Sequence, residues 1–197
     1  DVPSTHYAAA SLQTACDAGY VAKAETFGPS EPIKLSDALK LSVCGSGYMR
    51  LAEAAGGYPT GYRLQAAEIG LMKDLKDKSA ELLSYRDAAV LLYNVLTVDL
   101  LRPSSLGERE IYEKTKDQSL LTEIHKVYQA DGIVTATPVS RLTSNSGRLA
   151  ADIFELDGEV FHADFDTSAL LGRRVKAFYQ DDQDARRVIA AVPYKNA

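Results

Sequence analysis

The sequence is poor in the residues from which most chemical sites are built. In 197 residues it has no tryptophan, two cysteines, two methionines and three histidines. His6, His125 and His162 stand far apart and share no ligand spacing. No H-x-x-x-H, C-x-x-C or G-x-S-x-G pattern occurs, so the common metal, redox and hydrolase signatures are missing. "CGSGY" at 44–48 has glycines but neither the lysine nor the preceding strand of a phosphate loop, and it reads as a helix stop. "QDDQD" at 180–184 lacks the central glycine and terminal glutamate of a calcium loop and reads as a solvated hairpin tip. We therefore expect no metal, no cofactor and no enzyme activity.

Basic charge is also scarce. The net charge is −5, and neither half of the chain has the excess of Lys and Arg that a nucleic-acid binder usually carries. Arg173-Arg174 and Arg186-Arg187, on two strands expected to be neighbours, can form at most a small basic patch, and no nucleic-acid partner is expected. No apolar run approaches 18 residues, so no transmembrane segment is expected. No signal-peptide pattern is present, and the opening on Asp1 fits either a processed mature end or a fragment. Cys16 and Cys44 both lie in apolar, helical-looking runs. They read either as two buried thiols or as a disulfide, and compartment cannot be read from them.

What is present is globular composition, 46% hydrophobic and 25% charged, enough to bury a core. The first half is patterned for helices. "HYAAASLQTACDA" at 6–18 has Leu12, Ala15 and Cys16 at helical spacing, with Ser4 or Thr5 as N-cap candidates after Pro3 and Gly19 as a stop. "TFGPSEPI" follows. Phe27, Pro29 and Pro32 form a stiff aromatic-proline connector, because each proline bars helix and holds its predecessor extended. It fixes the approach of a helix over about 35–45. A short helical turn is predicted at 49–55, and "GGYPTGY" breaks it. A helix over 62–69 stops at Gly70. A capped helix starts after Ser84, with Asp87 at capping-box spacing and Ala88, Leu91, Leu92, Val95 and Leu96 on one stripe. One unit thus occurs twice: a helix ended by glycine plus an apolar residue, a connector, and an apolar helix. Such repeats stack to bury each other's stripes.

Residues 102–119 are polar and read as a linker, with "REIYEKTK" as a short edge strand. "LLTEIHK" looks like one helical turn. From Val127 the period changes from 3.6 to 2. Pro138 points to an edge or a bend. Asp157-Gly158 marks a hairpin turn, "DTSALLG" a capped helical turn, and residues 173–192 a second hairpin. Five strands with a short helix between the third and fourth predict a small antiparallel β-barrel, of the OB type among others. The expected fold class is α+β, with helical repeats over 1–101 (about 1–48 and 49–101) and a barrel over 120–197.

Three motifs in order carry a resemblance. "DVPSTHYAAASLQTACDAGYV" resembles the start of an S-layer homology (SLH) repeat, and "TFGPSEPI" resembles its Thr-Phe-x-Pro-x-x-Pro-Ile connector. "GGYPTGYRLQAAEIGLM" and "SYRDAAVLLYNVL" look like a second, divergent repeat of the kind seen in surface proteins of clostridia-like bacteria. Pro3, Gly19, Phe27, Pro29, Pro32 and Gly70 are the structural positions of that pattern. The resemblance implies a non-catalytic, secreted, cell-surface module of Gram-positive bacteria, located at the cell wall or S-layer, whose repeats bind a secondary cell-wall polysaccharide. The family uses an aromatic near the first helix and an arginine in the motif that opens the second. The aromatic position holds Tyr7. The arginine slot holds Leu35 in one copy and Tyr85 in the other, with Arg86 next door. Tyr7, Tyr62 and Arg86 are the candidate carbohydrate-binding residues, the rings stacking on sugar and the guanidinium taking an anionic group. The alternative is an SLH-derived scaffold that binds another surface protein and has lost the glycan.

Overall fold

The computed structural model describes residues 2–22, 26–106, 109–142, 147–182 and 185–194, with 105–106 and 109–111 as backbone only. Gln183 and Asp184 of the acidic hairpin tip lie outside the described residues. The fold is α+β, and the chain divides into two compact units, Asp1–Leu120 and Leu121–Ala197.

The first unit holds helices α1 (Ala9–Asp17), α2 (Leu35–Gly45), α3 (Met49–Ala54), α4 (Thr60–Glu68) and α5 (Tyr85–Thr97). It closes with a hairpin of β1 (Asp99–Leu106) and β2 (Arg109–Ser119). Of the linker and edge-strand readings of 102–119, the structure has strand: β2 pairs antiparallel with β1. Polar composition alone does not separate a two-stranded ribbon from a linker. Helix α1 starts later than expected. Ser4 and Thr5 are not caps: His6 and Ala9 amides donate to Pro3 and His6 carbonyls, so a turn occupies 3–9 and the helix opens at Ala8 without a side-chain cap. The stops fall where the glycines put them. Gly19 (φ +73) and Gly70 (φ +87) take the left-handed conformation. Their amides return to the Cys16 and Ala67 carbonyls, and the next residues, Tyr20 and Leu71, bond Ala15 and Ala66. Both helices thus end in the same two-bond cap.

The core of this unit runs through Leu35, Leu39 and Val43 of α2, Tyr48, Ala52, Tyr62 and Ala66 of the α3–α4 pair, Leu71, Leu75 and Leu91. None of the described residues before Leu35 is buried. Ser84 caps α5 by accepting the Asp87 amide, but Asp87 does not close a box. Its carboxylate instead takes the Lys76 and Asp77 amides at 2.9 and 3.4 Å. Asn94, two turns on, donates to the Leu71 and Lys73 carbonyls at 2.9 and 2.8 Å. These two buried polar residues peg α5 to the segment after α4. They also set its rotation, so the inner stripe is Asp87, Leu91, Asn94 and Val95, and Leu92 faces outward. Cys16 and Cys44 are both free thiols; Cys44 is buried, Cys16 only partly.

α6 (Leu120–His125) starts at the boundary, and the second unit holds the rest of it with β3 (Tyr128–Ala136), β4 (Ile153–Leu156), β5 (Glu159–Ala163), a 3₁₀ turn at Ser168–Leu170, β6 (Arg174–Asp182) and β7 (Ala185–Pro193). The strands lie where the change of period put them. They pair in the closed order β3-β4-β5-β7-β6, with β6 also paired to β3. One pairing departs from the antiparallel expectation: β5 and β7 run parallel through His162–Arg187 and Ala163–Val188. β3 is antiparallel to both β4 and β6, and each hairpin is antiparallel within itself, so closing a ring of five strands leaves β5 and β7 in the same direction. Asp157 (φ 50) and Gly158 (φ 86) form the expected tight turn. Pro138 lies just past β3, in a bend. Val134, Phe154, Phe161, Val175, Ala177 and Val188 fill the interior.

Candidate functional site

The aromatic-proline connector lines a cleft in the helical unit. Its end is held extended: the Leu83 amide donates to Ile33 and the Leu35 amide to Glu81, both at 3.0 Å, with Lys34 bridged to Leu82. That short pairing ties the residues before α2 to those before α5 and stands the connector in front of α2. Between them lies a cleft of about 620 Å³. Tyr20, Phe27, Pro29, Pro32 and Ile33 line its connector side, and Asp37, Lys40 and Leu41 present one face of α2, at i, i+3 and i+4. Tyr58 borders it from the α3–α4 loop. The Tyr58 hydroxyl lies 3.0 Å from Ser36 Oγ and donates to Asp37 Oδ1 at 2.8 Å. The Lys40 ammonium stands 5.7 Å from the Tyr58 ring centre and 5.9 Å from that of Tyr62, within range of cation–π attraction.

The three residues expected to bind sugar are not brought together there. Tyr7 is 92% exposed and its ring rests on neighbouring His6 at 4.5 Å. Tyr62 is fully buried, and its hydroxyl donates to Glu53 at 2.6 Å. Burial first, then that hydrogen bond, pushes its phenol pKa well up. A ring with no exposed face cannot stack on a ligand, so Tyr62 is a core residue. Beside it, a Cβ on Gly61 would stand 2.1 Å from the Ala52 carbonyl oxygen, so α3 and α4 meet there with backbone against backbone. Arg86 is more than half exposed and pairs with Asp87 at 2.7 Å. Leu35, in the slot where the resemblance expects arginine, is core. Of the other structural positions, Phe27, Pro29 and Pro32 line the cleft, while Phe27 is 49% exposed rather than a plug in the core.

The second unit has a smaller cleft of about 400 Å³, lined by Pro138, Val139, Phe165 and the carboxylates of Asp152, Asp164 and Asp166. Those carboxylates have partners. His162 Nδ1 is 2.9 Å from Asp152, holding its pKa below the usual range, Arg187 grips Asp164 at 2.8 and 2.9 Å, and Asp166 accepts from Ser168. The arginines that could have formed a small basic patch do not gather. Arg186 lies over the Phe161 and Tyr179 rings and pairs with Glu159, whereas Arg174 sits near the other end of β6, over Tyr194. Among the described residues no group of three or more His, Cys, Asp and Glu is placed to hold a metal ion. No helix among them is long and apolar enough to cross a membrane.

Lys34, Lys40 and Tyr58 are the cleft residues that sequence reasoning missed. Tyr58 sat inside a segment read only as a helix breaker. The spacing of Asp37 and Lys40 on one face of α2 was the available signal. No family model matches the chain, and no curated protein or solved structure matches it significantly.

Proposed function

We propose that the helical unit is an SLH-type module, secreted and non-catalytic, that holds a protein at a Gram-positive cell wall or S-layer by binding a secondary cell-wall polysaccharide. The observation that carries this reading is the cleft between the connector and α2. It combines exposed ring surface from Phe27 and Tyr58, prolines that pre-set its wall, and two ammonium groups at Lys34 and Lys40 set beside the carboxylates of Glu31 and Asp37. Rings offer apolar faces to pyranose rings, and lysine is a point charge for a carboxylate or phosphate substituent. The binding residues on this reading are therefore Phe27, Lys40 and Tyr58. The strand unit is read alongside it as an OB-type barrel. The closed order of its strands supports that assignment, as does the short helical turn between its third and fourth strands.

The test is co-sedimentation of the purified chain with isolated cell-wall sacculi, before and after the secondary polymer is stripped. Binding that is lost on stripping, and that Lys40→Ala and Tyr58→Ala each weaken while remaining folded, is the expected result. A parent chain that stays in the supernatant with polymer-bearing walls ends the reading. The scaffold alternative, with a surface protein as partner, then takes its place. Burial of Leu35 in the expected arginine slot is the observation that favours that second reading.

A further inference from the structure

Four charged side chains line the cleft in front of α2, and their charges cancel: Glu31 and Asp37 against Lys34 and Lys40. Among the described residues none of the four closes an ion pair. For Asp37 and Lys40 that runs against their spacing. They stand at i and i+3 on one face of α2, where opposite charges ordinarily meet across a turn. Tyr58 keeps them apart. Its hydroxyl donates to Asp37 Oδ1 at 2.8 Å, and the Lys40 ammonium lies over its ring, 5.7 Å from the centre. Both residues are half-buried, so each charge has lost part of its water without gaining a counter-charge. Among the described residues Asp37 Oδ2 has no partner.

We infer that the cleft takes a zwitterionic glycan residue, a sugar that carries a free ammonium and, on itself or its neighbour, a carboxylate or phosphate. This deepens the wall-polysaccharide reading and rests on it for the ligand's being a glycan. The ligand's acid goes to Lys40, with Lys34 in the same cleft, and its ammonium goes to Asp37 Oδ2, with Glu31 in the same cleft. The mixture of signs selects against a ligand of one charge. An acid on Lys40 would share the cleft with two carboxylates, and an amine on Asp37 would share it with two ammonium groups. Like charges brought together in this way cost affinity. With the four charges cancelling, the cleft also has no net pull on an anion. A neutral sugar would take more water from Asp37 and Lys40 and leave both charges unmatched. Only a ligand with both signs matches both. The volume of about 620 Å³ is within the range of small-molecule sites.

The test is a titration of the full chain, labelled with nitrogen-15, by simple sugars up to concentrations on the order of 20 mM, read by amide chemical shifts. Glucosamine 6-phosphate and muramic acid carry both charges. Glucose 6-phosphate and N-acetylmuramic acid carry only the acid, and glucosamine carries only the amine. Both zwitterions should bind at least about fivefold more tightly than any of the other three, moving the amides of α2 and Tyr58. Lys40→Gln should bring glucosamine 6-phosphate down to the affinity of glucosamine. Asp37→Asn should bring it down to that of glucose 6-phosphate, while the asparagine oxygen still accepts the Tyr58 hydroxyl and keeps the ring in place. Acid-only sugars that bind the parent chain as tightly as the zwitterions overturn the proposal. So does a parent chain that binds neither zwitterion in that range, or an advantage that survives both substitutions. The comparison on the parent chain decides the matter by itself if a variant fails to fold. Failure here in a chain that still sediments with polymer-bearing walls removes the zwitterion alone, whereas a chain that prefers the zwitterions but stays off the walls loses the wall reading alone.

Discussion

Helices α1 and α4, read from the sequence as matching parts of a repeated unit, end in the same glycine cap, yet they contribute very differently. Helix α4 buries Gly61, Tyr62, Gln65 and Ala66, and α1 buries nothing. Composition explains the difference. The apolar residues of α1 are alanines, Leu12 and Cys16, so covering that face removes little area from water. Helix α4 brings one large ring and, at Gly61, a backbone smooth enough for α3 to approach. Helical periodicity tells which face is available to be covered. It does not tell whether covering it yields enough to offset the ordering that docking demands.

The sharpest way to break this comparison is to truncate the main residue of each copy. Tyr62→Ala should cost about 3–5 kcal/mol, the range for a large core side chain replaced by alanine. Leu12→Ala should cost less than about 1 kcal/mol. Urea unfolding of both variants at constant m-value decides it. Similar losses would mean that α1 docks as firmly as α4.

The next effect isolates the close approach. A Cβ added at Gly61 would lie 2.1 Å from the Ala52 carbonyl oxygen, which is backbone and cannot swing away. Gly61→Ala should therefore cost about 1–3 kcal/mol through displacement of α3 from α4, although alanine is the better helix former. The exposed α1 position Ala10, changed to Gly, should lose only the propensity difference of about 1 kcal/mol. A Gly61→Ala chain as stable as the parent would show that the two helices adjust freely at that contact.

The features legible in the sequence are those whose cause is local. Gly19 and Gly70 stop helices because the left-handed residue must come at that point of the chain, and Ser84 caps because its oxygen reaches an amide three residues on. Asp157-Gly158 turns because both residues accept positive φ. The cleft was not legible in the same way. Tyr58 reaches Ser36 and Asp37 across 22 and 21 residues, and nothing in "GGYPTGY" announces that. The rotation of α5 was misjudged for a related reason. Its apolar residues go nearly all round, so the pattern does not choose a face, and the choice is made by Asp87 and Asn94 finding backbone partners in the segment after α4. Phe27 lies between these cases. The prolines fix the connector's shape, but only the position of α2 decides how deep the ring sits. At 49% exposure, Phe27→Ala should cost about 1 kcal/mol, roughly half the transfer value of a fully buried ring. A loss near the full core value, measured in the same urea series, would place the ring deeper in solution and make the first copy more like the second.

The smallest effect expected at neutral pH concerns Arg86, in the first turn of α5. Its guanidinium pairs with Asp87 from a half-exposed position, so Arg86→Ala should cost less than about 1 kcal/mol at pH 7. The pH dependence discriminates what Asp87 is doing. Its carboxyl is held below the usual carboxylate range chiefly by the Lys76 amide, then by the Asp77 amide and Arg86, against the opposing effect of burial. A carboxylate with a lowered pKa in the folded state stabilises above its unfolded value of about 3.9, and that contribution disappears as pH falls through the lower, folded value. The loss of stability below about pH 4 should thus persist in Arg86→Ala, because two backbone amides still hold the charge. In Asp87→Asn the same fall should shrink, since the titrating group is gone. If Arg86→Ala flattens the acid limb as much as Asp87→Asn does, the ion pair rather than the backbone amides fixes α5, and the second copy would owe its firmer packing to its charge as well as to Tyr62.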